Sequence, residues 1–169
     1  MHTIISAIRS RIAPTGLALF LVFVDLATKY WAQTAYVTKH GPTPILPFLS
    51  LVLAFNPGLT FGGVLGIFEN RLIDTLLTTS IATALCIWMW RERRPDLRLL
   101  IAFAAAGALG NTIDRALNTM VTDFLQFHFG GKSAFVVNLA DIWILIAVTG
   151  LLWRSRGGQK GQKPDGRQS

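Results

Sequence analysis

The sequence has few of the residues on which several common hydrolase mechanisms depend. It contains one cysteine, Cys86, so no intrachain disulfide can form. It has no H-E-x-x-H motif, with which zincin peptidases bind zinc, and no G-x-S-x-G motif. Ser50 and Ser133 have no evident base near them in the sequence. Serine, cysteine and zinc mechanisms are therefore poorly supported, and no metal site is predicted.

Charged residues are also scarce, because only 15% of the chain is charged while 51% is hydrophobic. The apolar residues gather in four long runs, at residues 12–31, 72–90, 97–113 and 135–153. Each run is close to the ~20 residues that a helix needs to cross the hydrocarbon core of a bilayer. The sequence therefore predicts four transmembrane helices, of which the third is the shortest and the richest in small residues.

Acidic residues are outnumbered, with 9 against 16 basic residues and a formal net charge of +7. Most of the basic residues precede the first run, lie between the second and third, or follow the fourth. They are Arg9, Arg11, Arg91, Arg93, Arg94, Arg98, Arg154, Arg156, Lys160, Lys163 and Arg167. The opposite side has Lys39, Arg71 and Lys132. This positive-inside distribution predicts that both termini are cytoplasmic. It accounts for the basicity without nucleic-acid binding.

The two predicted outer segments have strand-like sequences. "PFLSLVLAF" at 47–55 is flanked by glycine and proline, and two apolar runs within 119–137 are separated by Gly130 and Gly131, as in a hairpin. The predicted fold is an all-α membrane bundle of four transmembrane helices with a small extracytoplasmic β-sheet. We expect one integral-membrane domain over 1–156 and a disordered cytoplasmic tail over 157–169.

Polar residues cluster at one end of the predicted helices. With the helices oriented by the positive-inside rule, nine of them share the outer membrane face. They are Asp25, Lys29, Asn56, Asn111, Asp114, Arg115, Asp123, Asn138 and Asp141. Ionisable groups within spans are costly and usually face a bundle interior or a water-filled cavity. The cluster therefore predicts a functional site at this face.

Structural roles explain part of this set. Asp25 and Lys29 are four residues apart on one helix, a spacing that allows an ion pair. Arg115 can extend its side chain to the interface. Asp74 is suited to the first turn of its helix, and "AAAGALG" at 104–110 to close helix packing.

The remaining chemistry is that of paired aspartates. Two carboxyls that lie close together cannot both ionise easily and so share a proton, which a dry location helps to retain near neutral pH. The ionised carboxyl takes a proton from an attacking water, and the protonated one hydrogen-bonds the carbonyl and assists the leaving amine. Either Asp114 or Asp123 could partner Asp141. Asp123 is favoured, because Asp114 lies within a helix, where donors from elsewhere are expected to hold it.

Five motifs occur in one order along the chain: "DLATK" (25–29), "FNPGLTFG" (55–62), "GALGNTIDR" (107–115), "VTDF" (121–124) and "VNLAD" (137–141). Together they closely resemble lipoprotein signal peptidase, also called signal peptidase II. The resemblance extends from about residue 20 to residue 153.

The resemblance implies an aspartic endopeptidase of the bacterial cytoplasmic membrane. Such enzymes cut prolipoproteins before a cysteine that carries diacylglycerol, so the implied partners are diacylglyceryl-modified prolipoproteins and membrane lipids. It further implies that no metal or organic cofactor is needed, and we expect a monomer. Asp123 and Asp141 match the catalytic pair, and Asp25 and Lys29 would brace the site. The residues that would orient the substrate or the pair are Asn56, Gly58, Gly107, Asn111, Arg115 and Asn138.

The chain departs from the family pattern at several positions. These are Leu26, often Gln; Pro57, Leu59 and Thr60 after Asn56; Thr119, often Gly; and Val137, commonly Phe. None is one of the two aspartates, so we expect the departures to affect loop shape and substrate preference.

A second hypothesis is a small ion-coupled transporter that uses intramembrane carboxylates. Transporter sites tend to lie near the membrane midplane between internal repeats. In this chain the polar residues gather at one face and no repeat is visible, which favours the peptidase.

Overall fold

The computed structural model describes residues 2–36, 40–57, 71–130 and 132–159. Four long helices are present in this part of the chain: α1 (His2–Trp31), α2 (Arg71–Arg91), α3 (Pro95–Asn118) and α4 (Leu139–Gln159). The strands are β1 (Thr43–Leu46), β2 (Leu49–Asn56), β3 (Val121–Phe129) and β4 (Lys132–Val137). A π-helical segment, Ala32–Tyr36, continues α1.

Three helical stretches of the described chain are long and apolar enough to cross a membrane. They are Arg11–Thr34, Leu72–Arg91 and Pro95–Asn118, and they coincide with the first three predicted spans. The described part of α4 is apolar over most of its length but contains Asp141, Arg154 and Arg156. The fourth span therefore stays a prediction.

The central helix of the bundle is α3, which packs against α1, α2 and α4. Glycines allow this close approach. A Cβ atom at Gly107 would collide with the carbonyl oxygen of Ala140 at the start of α4, and one at Gly110 would collide with the Asp25 carboxylate. Helices in lipid gain little from excluding lipid, so close van der Waals contact between small residues favours their association. The predicted packing role of residues 104–110 is confirmed.

Large apolar side chains cover the outside of the helices. Phe23, Leu76 and Leu145 are all exposed, whereas Ile101 and Ala102 of α3 are fully buried between the helices. This distribution is expected where the surrounding medium is lipid, because lipid tails are as apolar as these side chains.

The four strands form one antiparallel sheet in the order β1-β2-β3-β4. β2 contains most of the predicted strand at 47–55. β3 and β4 form the predicted hairpin, and Gly130 at its turn has a φ of 56°. The sheet adjoins the helices through β3, which follows α3 and contacts both α3 and α1. The small sheet at one end of the bundle is therefore confirmed.

The sequence assigned residues 135–137 both to the fourth apolar run and to the hairpin, and the structure assigns them to the hairpin. Residues 135–137 belong to β4, where Val137 pairs with Leu125 of β3. Aromatic and β-branched residues raise hydropathy, but they also favour strands, and pairing with β3 decides between the two. The helix begins at Leu139 and its backbone is helical to Gln159, within the segment predicted to be disordered. Residues from 160 onwards lie outside the described part.

Thr119, which ends α3, has a left-handed backbone conformation with φ 64° and ψ −12°. It is the one non-glycine residue with positive φ in the part of the chain that the structure describes. The left-handed region brings Cβ too close to the backbone of an L-residue, which explains why glycine often ends helices in this way. The glycine that the resemblance implies at this position would therefore have a local steric reason.

Thr119→Gly should stabilise the protein by about 1 kcal/mol, because it removes the cost of a left-handed threonine. Ala116→Gly, at an exposed helical position three residues earlier, should lower stability by about 1 kcal/mol. Thermal unfolding of both purified variants in one detergent measures the difference. A lower melting temperature for Thr119→Gly would contradict the strain at this helix end.

Candidate active site

The first turn of α4 carries a reciprocal cap. Asn138 Oδ1 accepts the backbone N–H of Asp141 at 3.1 Å, and Asp141 Oδ2 accepts the backbone N–H of Asn138 at 3.2 Å. Asp25 Oδ1 of α1 accepts the Ala140 N–H at 2.8 Å. A helix N-terminus leaves N–H groups without partners and favours negative charge. This accounts for a carboxylate at the start of an apolar helix.

Asp123 lies on β3 opposite Ala54 of β2 and is 4% exposed. Its Oδ1 accepts a hydrogen bond from Asn138 Nδ2 at 2.6 Å, and its Oδ2 accepts one from Asn56 Nδ2 at 3.3 Å. Asn138 therefore contacts both predicted catalytic residues, because it holds the Asp123 carboxylate with its amide and caps the turn that contains Asp141.

A cavity of about 280 Å³ lies where α2, α3 and α4 meet the sheet. Its charged and amide lining residues are Asn56, Asn111, Arg115, Asp123 and Asp141. All five were predicted for the site from sequence. The structure thus brings residues from β2, α3, β3 and α4 to one space, with two carboxyls and one guanidinium around it.

Burial is the main cause that raises the pKa of Asp123, and the negative charge of Asp141 raises it further. The hydrogen bonds from Asn138 and Asn56 act in the opposite direction, and the resulting pKa is about 6. Asp123 therefore retains its proton to a higher pH than an exposed aspartate does. This is the behaviour expected of one member of a proton-sharing pair.

Lys29 connects α1 to the cavity. Its ammonium, 1% exposed, donates to Asp25 Oδ2 at 2.8 Å and to Asn111 Oδ1 at 2.7 Å. Asn111 Nδ2 in turn donates to Asp141 Oδ1 at 2.9 Å. Because the ammonium can only donate, it fixes the amide of Asn111 with its oxygen towards Lys29 and its nitrogen towards Asp141.

Asp114 is held by a different set of donors. Its Oδ2 accepts the Thr122 backbone N–H at 2.7 Å, and its Oδ1 accepts Asn118 Nδ2 at 2.7 Å. Lys29 Nζ lies 3.6 Å from Oδ2. Asp114 is buried and does not line the cavity. These contacts join α3 to β3, as expected for a residue that braces the site.

The remaining predicted site residues are both glycines. Gly107 lies at the contact between α3 and α4, and Gly58 lies outside the described residues. Sequence reasoning missed Gln33, whose Nε2 donates to Thr122 Oγ1. Gln33 follows Asp25 and Lys29 at the same four-residue spacing, so helical periodicity could have identified it.

Five further lining residues were also missed, of which Ala108 of α3 and Val121 of β3 lie within the motifs quoted from the sequence. Thr78 and Ile81 of α2 and Ile144 of α4 form walls of the cavity. Their types gave no signal, because threonine and isoleucine are common on every membrane helix. Within the described ranges, no three side chains of His, Cys, Asp or Glu converge in a way that could hold a metal ion.

A family model and individual relatives point to the same family when this sequence is compared with known ones. A sequence model of the family described as signal peptidase (SPase) II matches residues 17–156. A protein named lipoprotein signal peptidase from Hydrogenovibrio crunogenus is 37% identical over 146 residues, which cover 85% of this chain and 84% of that protein. One with the same name from Methylocella silvestris is 33% identical over 92% of this chain and 95% of its own length.

The fold is similar to two solved structures, each described as a bacterial membrane enzyme determined by the in meso method. The structure at 2.3 Å resolution has a TM-score of 0.75 and 26% sequence identity, covering 93% of this chain and 96% of that chain. The structure at 1.9 Å has a TM-score of 0.70 and 29% identity, covering 85% and 92%. The similarity therefore extends over both the helices and the sheet.

Infrared spectroscopy should detect a protonated carboxyl that loses its proton near pH 6. Asp123 holds this proton below about pH 6 and releases it above, so its carbonyl band should fade as pH rises from 5 to 7. Asp123→Asn should lack the band, while Asp96→Asn, which changes an exposed aspartate, should retain it. A band that persists in Asp123→Asn would contradict the assignment.

Proposed function

Because this chain belongs to the signal peptidase II family, we propose that it is an aspartic endopeptidase that removes the signal peptide from prolipoproteins. The cut falls before a cysteine that carries diacylglycerol. One observation carries the proposal: Asp123 and Asp141 line one cavity, and the pKa of Asp123 is raised to about 6. The relatives give no support to the transporter hypothesis.

In the proposed reaction Asp141 is the base and Asp123 the acid. Burial raises the pKa of Asp123 to about 6, which suits the acid, whereas Asp141 is only partly buried, which suits the base. Asp141 takes a proton from water while the water oxygen bonds to the scissile carbonyl carbon, and protonated Asp123 hydrogen-bonds the carbonyl oxygen. The C–N bond then breaks as Asp123 gives its proton to the amide nitrogen, and the proton that Asp141 took from water leaves the pair with one proton again. The products are a signal-peptide carboxylate and a lipidated cysteine with a free amino group.

Arg115 and Asn56 are placed to orient the substrate. Arg115 is 7% exposed and lines the cavity, and its buried Nε has no hydrogen-bond partner in the part of the chain that the structure describes. A buried donor without a partner is costly, so a carbonyl oxygen of an extended substrate would satisfy it. Asn56 Nδ2 is 3.3 Å from Asp123 Oδ2 and would hold the acid while the peptide binds.

The lipid part of the substrate would lie between membrane and sheet. Phe48, Phe55, Phe129 and Phe135 are exposed on the sheet and its turns, and exposed aromatic side chains suit a membrane interface. The diacylglyceryl chains would remain in the bilayer beneath this surface. Their retention there keeps the scissile bond at the depth of the cavity.

The orientation follows from the positive-inside rule. α4 forms the fourth span, both termini are cytoplasmic, and the sheet and cavity lie at the extracytoplasmic face. One chain supplies both carboxyls of the pair, so the proposed reaction needs no second copy, and we propose that the protein acts as a monomer.

Asp123→Asn and Asp141→Asn should each lower cleavage of a diacylated prolipoprotein by at least about 10²-fold, since each removes a proton-transfer group. Both should accumulate in the membrane. The measurement is the conversion of the precursor to a shorter product by purified protein, normalised to monodisperse enzyme. Turnover close to wild type in either folded variant would rule out the aspartic mechanism.

Asp114→Asn is the matched control for this pair. It removes a buried carboxylate of the same type, but one that joins α3 to β3 outside the cavity. We expect a lower folded yield and measurable cleavage per folded molecule. A well-folded but inactive Asp114→Asn beside an active Asp123→Asn would show that the pair is wrongly assigned.

Two serine-to-cysteine variants in a Cys86→Ala background test the orientation. Ser133 is exposed on β4 and Ser155 is exposed near the end of α4. A membrane-impermeant maleimide added to intact spheroplasts should label Ser133→Cys and leave Ser155→Cys unmodified until the membrane is opened. The reverse pattern would place the cavity on the cytoplasmic side.

A further inference from the structure

A second cavity lies on the other flank of the contact between α2 and α3. Its volume is about 540 Å³, within the range of about 300–1,000 Å³ that is typical of ligand pockets. Side chains such as Leu19 of α1, Ile87 of α2 and Leu109 of α3 form its almost entirely apolar wall. It shares no lining residue with the candidate active site. We call it the α1–α2 groove.

Two arginines lie at one end of the groove. Arg91 lines it, and the Arg11 guanidinium lies over the Trp90 ring, 5.2 Å from its centroid. Arg11 begins one candidate membrane span and Arg91 ends the next. Since α1 and α2 follow each other through the membrane, these two residues are at the same membrane edge.

These two arginines differ from their cationic neighbours. Arg94 pairs with Glu92 and Arg154 pairs with Asp96. Within the described ranges neither Arg11 nor Arg91 has a carboxylate at ion-pair distance, and the buried Nε of Arg11 has no hydrogen-bond partner. The groove therefore combines an apolar interior with uncompensated positive charge at its membrane edge.

We infer that the α1–α2 groove binds one anionic phospholipid. An acyl chain would fill the apolar part, and the phosphate would lie between Arg11 and Arg91. Charge complementarity selects this occupant, because a neutral partner helix would leave both cations uncompensated, and basic residues at a membrane edge attract anionic lipids. The inference concerns a different cavity from the proposed peptidase site and does not depend on that activity.

Lipid binding by the purified protein tests the inference. Native mass spectrometry should show one phosphatidylglycerol bound about tenfold more tightly than phosphatidylcholine with the same chains, given two cations near the headgroup. In the double variant Arg11→Gln/Arg91→Gln the preference should fall to about threefold or less. Arg93→Gln/Arg156→Gln removes the same charge from exposed residues that do not line the groove and should keep the preference.

Cys86 supplies an independent readout, since the chain's single cysteine lines the groove. Phosphatidylglycerol should slow its alkylation by a maleimide in the wild type. Thr15→Phe, which fills the groove without a charge change, should abolish this protection.

Three results would overturn the inference. They are equal binding of the two lipids to the wild type, an equal loss of preference in both double variants, and protection of Cys86 by self-association without lipid. If Arg11→Gln/Arg91→Gln does not fold, the wild-type lipid preference and the Cys86 protection decide the outcome.

Discussion

The site depends on the contacts of one buried group, the ammonium of Lys29. It lies in the interior with Asp25 on its own helix and Asn111 on α3 as hydrogen-bond partners. Removal of one partner from a buried ion pair costs about 3–5 kcal/mol, because the other charge remains buried and uncompensated. The same ammonium orients the Asn111 amide towards Asp141. Association of α1 with α3 and placement of the Asp141 carboxylate therefore share one cause.

The first turn of α4 is held by hydrogen bonds to other parts of the same site. Asp25 and Asn138 accept the N–H groups of Ala140 and Asp141, which a helix start would otherwise leave without partners. Asn138 also reaches Asp123 on β3. One helical turn thus joins α1, α4 and the sheet. Side chains held by packing and by further hydrogen bonds are those that keep a reactive geometry.

Local patterns in the sequence predicted much of this structure. Apolar runs located the four long helices of the described chain, glycines located the hairpin, and the four-residue spacing of Asp25 and Lys29 predicted their ion pair. Residues 135–137 were assigned both to an apolar run and to the hairpin, because they suit a strand and a membrane helix equally, and only pairing with β3 decides. The bond from Asp25 to Ala140 joins residues 115 positions apart, and no local pattern indicates such a contact. The walls formed by α2 were missed for the same reason.

α2 lines both cavities, as does α3. It packs mainly on α3, and Thr78 and Ile81 face the active-site cavity from one flank while Ile87 and Trp90 face the α1–α2 groove from the other. A tilt of α2 about this contact widens one cavity as it narrows the other. An occupant of either cavity therefore acts on the position of the same helix, α2. By thermodynamic reciprocity, any change that a bound lipid makes to the affinity for a peptide equals the change that the peptide makes to the affinity for the lipid.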